Sequence, residues 1–366
     1  MSVLLTTWPL HRSGNVGDAL ITASTVALIR ERFPAYAPQI LFREEELEAH
    51  GIRPVITIVA PGFSVAEGFY PKLYRLYSDL DKLDCFYPVG CSIQTNPRAA
   101  APWDDVTYSP PTLETLRLLN SKFGSFPCRD ELIVEILQRH ELAAFNIGDM
   151  ALYDSRHIEK PLQVAQNPKS IVFTLGHHQE YREQALKLLG NLVACFPEAK
   201  VTVAFHGRPS GYSTQVAAAA TSLGCSIVDL HGEASNLNFY DGIDLHVGYR
   251  LHGHIAFLRR RKPSLLLMED VRSFGFSKNP GANATVIAAF KGRPLQSDTN
   301  VHNKALELLR YHLDHGFRAY ETFLNWVDLT FLDFVVPYFN NLARNLMLEN
   351  LRGSKPISGI ARTLSS

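Results

Sequence analysis

The chain has little of several things, and each shortage excludes a class of protein. Five cysteines in 366 residues, at 85, 91, 128, 195 and 225, form no C-x-x-C pair and have no clustered histidines beside them. That argues against a disulfide framework and against a structural zinc site, and the thiols read as reduced and mostly buried. Charge of one sign is not in excess: 36 Lys plus Arg stand against 36 Asp plus Glu, so the broad basic surface that duplex nucleic acid needs is absent. Long apolar runs are missing too. Stretches 55–60 and 327–339 are too short, or too interrupted by Asp, to cross a bilayer, which takes about 20 residues. The N-terminus has no basic stretch and no small-residue cleavage site, so a cytoplasmic chain without a transmembrane segment is expected.

What is present is ordinary globular material, 46% hydrophobic, and long enough for two lobes with a cleft between them at roughly 150 residues each. From residue 170 onward, short apolar runs at 171–175, 201–205, 227–230, 245–248 and 265–268 alternate with stretches of helical spacing at 181–195, 213–223 and 252–261. This βαβ rhythm predicts a parallel sheet with right-handed crossovers. The first half repeats it less cleanly, with strands expected at 3–8, 55–60, 84–89, 126–129 and 144–147. Asp18 is placed to cap a helix carrying Val26, Ile29 and Phe33 on one face. The expected architecture is α/β: two Rossmann-like lobes facing a cleft, 1–160 and 161–298, with a helical, aromatic-rich segment 299–366 packed on them and fraying over 353–366.

In open parallel sheets ligands bind beyond the carboxyl ends of the strands. The loops after the predicted strands of the second lobe read Gly176-His177-His178, His206-Gly207-Arg208, His231-Gly232-Glu233, Tyr249-Arg250-Leu251-His252-Gly253-His254 and Asp270-Val271-Arg272. Arginine forks bind carboxylate or phosphate, and histidine moves protons near neutral pH, so a small anionic ligand is the natural inference. In the stretch 249–254, Arg250 and His252 flank Leu251 between an apolar strand and an apolar helix, whose N-terminus and Gly253 amide would also face an anion. In the first lobe, Gly14-Asn15-Val16-Gly17-Asp18 is a glycine-containing turn before a helix but neither a G-x-G-x-x-G nor a P-loop. Its Asn and Asp suit sugar hydroxyls or acid/base work, unless Asp18 only caps the helix. Arg129-Asp130 and Gly148-Asp149 also follow strands, and Arg129 can pair with Asp130 or Asp149.

Taken together, Gly14-Asn15-Val16-Gly17-Asp18, Cys128-Arg129-Asp130-Glu131, Gly148-Asp149 and Arg250-Leu251-His252-Gly253 resemble, in order and from about residue 3 to 276, the polysaccharide pyruvyl transferases. The resemblance implies a fold like the GT-B glycosyltransferases and transfer of pyruvate from phosphoenolpyruvate to a sugar as a cyclic ketal. It implies that Arg250 and His252 contact phosphoenolpyruvate and that the Asn15–Asp18 turn lines the opposite wall. One departure stands out: the family commonly has an arginine after the first strand of the second lobe, where this chain has Gly176-His177-His178. Either a histidine substitutes, or Arg182 or Arg208 reaches in.

On that basis the expected proton-transfer residues are His252 and His178, with Asp18 as the carboxylate serving the acceptor. Arg250 and Arg208 would balance the phosphate, and Leu251, Gly253, His206, Asn15, Gly17 and Arg129 would complete the binding surface. No metal and no cofactor is expected beyond phosphoenolpyruvate as donor substrate. The expected partner is a sugar, oligosaccharide or lipid-linked acceptor, the last implying peripheral membrane association, and no nucleic acid. Two other readings compete: a GT-B glycosyltransferase using a nucleotide sugar, with Glu269 or Asp270 on the ribose, and a non-catalytic sugar-binding or scaffold protein using the aromatic C-terminal helices.

Overall fold

In the computed structural model, which describes residues 2–7, 14–94, 103–209, 211–292 and 296–353, the apolar runs become two parallel sheets. In the first, β1 (Ser2–Thr6), β2 (Gln39–Phe42), β3 (Thr57–Pro61) and β4 (Phe86–Val89) lie in the order β2-β1-β3-β4. A parallel bridge between Cys91 and Cys128 extends it to the pair β5 (Phe126–Cys128) and β6 (Ala144–Asn146). The second sheet contains β7 (Ser170–Thr174), β8 (Lys200–Phe205), β9 (Ser226–Asp229), β10 (Leu245–Gly248), β11 (Ser264–Met268) and β12 (Val286–Ala288), in the order β12-β11-β10-β7-β8-β9. The strand order reverses between β1 and β3 in one sheet and between β7 and β10 in the other. These are the two Rossmann-like lobes that the sequence predicts.

The expected strands of the second lobe appear within one or two residues of their predicted ends. Within these two sheets two strands are additions, β2 and β12, and a short antiparallel pair, Phe290–Lys291 with Gln296–Ser297, is a further one. β2 and β12 are both edge strands with partly exposed residues, so neither carries the continuous apolar run that marks a strand buried on both faces. The predicted end of the first strand at Trp8, Ser13 before the Gly14 turn, and the expected fraying of 354–366 lie outside the described residues.

The first helix, Val16–Arg30, corrects one expectation. Its cap is Asn15, in extended conformation, whose Oδ1 accepts the Gly17 amide at 3.1 Å. Asp18 sits one turn inside, where an acidic side chain still favours the helix dipole. The helix is buried on several sides because it lies between the lobes. One apolar core runs from the second sheet through Val16, Leu20 and Leu28 to Leu4 and Val59 of the first sheet. A second core fills the other face of that sheet with Val3, Leu5, Ile58 and Phe86, which follows from the alternation of side chains along a strand.

After the helix Val301–Asp314 on the second lobe, Glu321–Thr330, a π-helical turn Phe331–Val335 and Val336–Gly353 return the chain to the first lobe. There Tyr338 Oη donates to the Pro88 carbonyl at 2.7 Å, and Glu349 Oε2 accepts the Thr57 amide at 3.2 Å. Phe317, Tyr320, Phe323 and Phe331 are buried, so most of the aromatic content of this segment serves the core. Among the described residues no helix is long and apolar enough to cross a membrane. All five cysteines are free thiols.

Candidate active site

The two reversals of strand order face each other, and the loops at each build one cavity. The smaller, about 310 Å³, is walled by the carboxyl ends of the first sheet and the start of its first helix, with Asp18, Arg43, Arg129 and Asp149, and is closed by His252 and Arg272 from the second lobe. The larger, about 510 Å³, lies on the second sheet between the loops after β7, β8 and β10, with His177, His178, His206, Arg208, Tyr212 and Arg250. Asn15 borders this larger cavity and Asp18 the smaller, so the N-terminus of the helix Val16–Arg30 divides them. Backbone bonds hold that divider in place: the Val16 amide donates to the His206 carbonyl at 2.9 Å, and the Gly232 amide to the Gly14 carbonyl at 3.0 Å.

Arg250 is aimed by a close approach of two strands. Gly248 has φ of 154°, and a Cβ there would meet Thr174 Oγ1 at 2.4 Å and the Thr174 backbone nitrogen at 2.6 Å. Freed of that clash, the chain lets Thr174 Oγ1 accept the Arg250 amide at 3.3 Å, while Thr174 itself contacts His246 Nε2 at 2.8 Å. Arg250 then caps the helix Leu251–Leu258 from an extended conformation. Its Nη1 reaches His177 Nδ1 at 2.6 Å, and Arg272 Nη2 reaches His177 Nε2 at 3.0 Å. Crowding by the cleft walls, which still leave one edge of the ring exposed, and the two guanidiniums hold the His177 imidazole far below its ordinary pKa, that is, neutral. Beneath it Glu269 is 1% exposed and takes the His177 amide on both oxygens, at 2.9 Å each. Burial, reinforced by the neighbouring Asp270, pushes the Glu269 carboxyl up to about 8.

Two positions along the helix, His252 points the other way, into the smaller cavity. Its Nε2 lies 3.4 Å from Asp149 Oδ2, across the lobes. Asp149 caps a short turn by accepting the Ala151 amide on Oδ1 at 2.9 Å, so its second oxygen is left for His252. Burial works to raise the Asp149 carboxyl, but His252 and Arg129 outweigh it and the pKa falls below the ordinary value. Gly17 makes room for the imidazole: a Cβ there would stand 2.4 Å from His252 Nδ1. Arg129 is 7% exposed and pairs with Asp130, Nε to Oδ2 3.2 Å.

The structure therefore divides the predicted residues between two adjoining chambers. Asp18, Arg129 and His252 meet in the smaller; Asn15, His178, His206, Arg208 and Arg250 border the larger. Four expectations are corrected in detail. Leu251 and Gly253 are buried and line neither cavity, because the first turn of their helix packs on the sheet. Gly17 also lines neither, and its contribution is the space it leaves. His206, 1% exposed, turns its ring to the Tyr240 hydroxyl, and burial keeps it neutral. The loop after β9 contributes no lining residue; His231 pairs with Asp229 at 2.7 Å outside both cavities. Asp149 and Arg272 line the smaller cavity without being among the expected site residues, and of the two histidines after β7 it is His177 that stands against Arg250.

A family model for polysaccharide pyruvyl transferase matches residues 15–270, which include Asn15, Asp18, Arg129, Asp149, Arg250 and His252. The chain belongs to the polysaccharide pyruvyl transferase family. No curated protein matches it. Among solved structures, a putative UDP-N-acetylglucosamine 2-epimerase from Listeria monocytogenes is similar at 12% identity and a TM-score of 0.48, covering 98% of this chain and 99% of its own. The wall teichoic acid polymerase TagF is similar at 10% identity and a TM-score of 0.48, over 96% of this chain and 90% of that one. The accessory secretory protein 1,2 and 3 structure from Streptococcus pneumoniae is similar at 13% identity and a TM-score of 0.45, and the match spans 91% of this pyruvyl transferase family member but 58% of that chain. Within the family frame Arg272 is notable, since it lies just beyond the matched stretch and still reaches the cleft.

Proposed function

We propose that the protein moves pyruvate from phosphoenolpyruvate to two hydroxyls of a sugar, forming a cyclic ketal and releasing phosphate. One observation carries the reading. Arg208 and Arg250 of the larger cavity pair with no described carboxylate, and no Asp or Glu is among the described residues that line it. The arginines of the smaller cavity each have a carboxylate at their side: Arg43 with Glu44 at 3.0 Å, Arg129 with Asp130 at 3.2 Å and Arg272 with Asp270 at 2.6 Å. Guanidiniums without a salt-bridge partner, in a chamber with no carboxylate among its described lining residues, suit a donor bearing carboxylate and phosphate. A charge-balanced chamber that also offers Asp18 and Asp149 suits a polyol.

In this reading the donor lies against Arg250 and Arg208 with its enol carbons at the junction. His252 protonates the methylene carbon, one sugar hydroxyl adds to the adjacent carbon, the bond from that carbon to the phosphate oxygen breaks, and the second hydroxyl closes the ring. The two hydroxyl protons are accounted for: one completes the new methyl group and one leaves with phosphate. Asp18 serves the acceptor hydroxyls, and His178, in the donor chamber, serves the leaving phosphate. The acceptor is a sugar, an oligosaccharide or a lipid-linked saccharide. The nucleotide-sugar reading has less support, because Glu269 and Asp270 are 1% and 8% exposed and already engaged by the His177 amide and by Arg272.

A thermal-shift titration of wild type and Arg250→Ala with phosphoenolpyruvate and a set of nucleotide sugars tests the proposal. A ligand at about 100 times its dissociation constant stabilises by roughly 2.7 kcal/mol. The expected result is a shift of wild type with phosphoenolpyruvate and none for the variant; a shift with a nucleotide sugar alone overturns it.

A further inference from the structure

The arginine that the family commonly has after the first strand of the second lobe cannot be restored at Gly176, where a Cβ would stand 2.4 Å from Glu269 Oε2. The next residue, His177, occupies the space beside Arg250, and the hydrogen bonding around it does not balance. A guanidinium only donates, and a neutral imidazole offers one acceptor nitrogen and one N–H. Yet both ring nitrogens face arginines: Arg250 Nη1 contacts Nδ1, at 2.6 Å, and also Nε2, and Arg272 Nη2 stands 3.0 Å from Nε2, so three guanidinium contacts share one acceptor nitrogen. One of the two guanidiniums therefore meets an N–H. Arg250 Nε, buried, has no hydrogen-bond partner among the described residues either. The cluster has more donors than acceptors, which is the condition an oxyanion relieves. The His177 side chain is open to solvent while its amide is fixed by Glu269, so the ring can turn away without moving the backbone.

We infer that one oxyanion group of the donor bridges Arg250 and Arg272 in the place that the His177 imidazole holds, which makes Arg272 a donor-binding residue and His177 a side chain that swings aside. Arg272 comes from the strand on the far side of β10 and so reaches the same junction from the opposite direction. Its bidentate hold on Asp270 Oδ2, with Nε at 2.8 Å and Nη2 at 2.6 Å, keeps the guanidinium in position for this. The inference deepens the donor reading above and rests on it for the identity of the donor, though not for the bridge itself.

The test is calorimetric titration of phosphoenolpyruvate, and separately of inorganic phosphate, into wild type, Arg272→Ala, Arg272→Lys and His177→Ala. Arg272→Ala is expected to weaken phosphoenolpyruvate at least tenfold, and Arg272→Lys, which keeps the charge beside Asp270 and covers the case of a misfolded alanine variant, to weaken it less. His177→Ala is expected to bind as tightly as wild type or several-fold more tightly, since no ring has to be displaced; damage to the fold would not tighten binding. Undiminished binding by both Arg272 variants overturns the bridge and leaves the donor reading intact. Weaker binding by His177→Ala overturns the swing. If wild type ignores phosphoenolpyruvate but binds phosphate in an Arg272-dependent way, the donor reading falls and the bridge stands; if neither anion binds, both fall.

Discussion

Asp149 Oδ2 and His252 Nε2 face each other across the cleft at 3.4 Å, and neither atom has another hydrogen-bond partner among the described residues. The separation is long for a hydrogen bond, and the contact joins the two lobes at the point where the smaller cavity meets the larger. The Asp149 carboxylate faces the imidazole and holds its ring toward the junction of the two cavities. Asp149→Asn keeps the shape and removes the charge, so the rate of phosphate release should fall by about 10²-fold, within the range for a disturbed general acid. Phosphoenolpyruvate affinity, read by calorimetry, should stay within a factor of about two. An equal loss in affinity would place Asp149 in donor binding instead.

Gly17→Ala places a methyl group 2.4 Å from His252 Nδ1 and 2.8 Å from its Cγ, so the ring must move. Alanine favours a helix over glycine by about 1 kcal/mol, which offsets part of the steric cost. Turnover should therefore drop by about 10²-fold, as for a misplaced reacting group, while the melting temperature changes little. A variant that unfolds, or one that turns over normally, contradicts this account of the glycine.

Gly248→Ala is expected to act on stability. Its Cβ would press on the Thr174 side chain and backbone at 2.4 to 2.6 Å, in the centre of the second sheet where the neighbour is backbone and cannot yield. Urea denaturation should show a loss of about 3 kcal/mol, the upper part of the overpacking range. A change below about 0.5 kcal/mol would mean that β7 and β10 separate more easily than their register implies.

Glu269 gives a pH dependence of known sign. Its folded pKa, pushed up to about 8 by burial and by Asp270, exceeds the ordinary value of 4.5, so its stabilising contribution is present below pH 4.5 and is lost as pH rises through 8. Denaturation of wild type and Glu269→Gln between pH 5 and 9 should show the wild type losing stability relative to the variant as pH rises. Parallel curves would show that the carboxyl ionises in the folded protein as freely as in the unfolded chain.

Much of the frame was legible because it depends on short-range pattern. The apolar runs of the second lobe gave their strands to within a residue or two, and the loops after them held Arg250, His252, His178 and Arg208. The edge strands β2 and β12 escaped because an edge need not be apolar on both faces. The apolar pattern starts late and so points to Asp18 as a possible cap, whereas Asn15 caps the helix three residues earlier.

The sequence by itself determined that two parallel α/β lobes form and which loops stand at their carboxyl edges, because side-chain period and strand polarity are properties of the chain in order. The tertiary structure alone decided what meets what across the cleft: His252 with Asp149 in the space above Gly17, and Arg250 with Arg272 on either side of His177. Those meetings follow from the reversals of strand order and from the helix Val16–Arg30 wedged between the lobes. Periodicity tells which face of an element is buried and carries no information about which distant loop is packed against it.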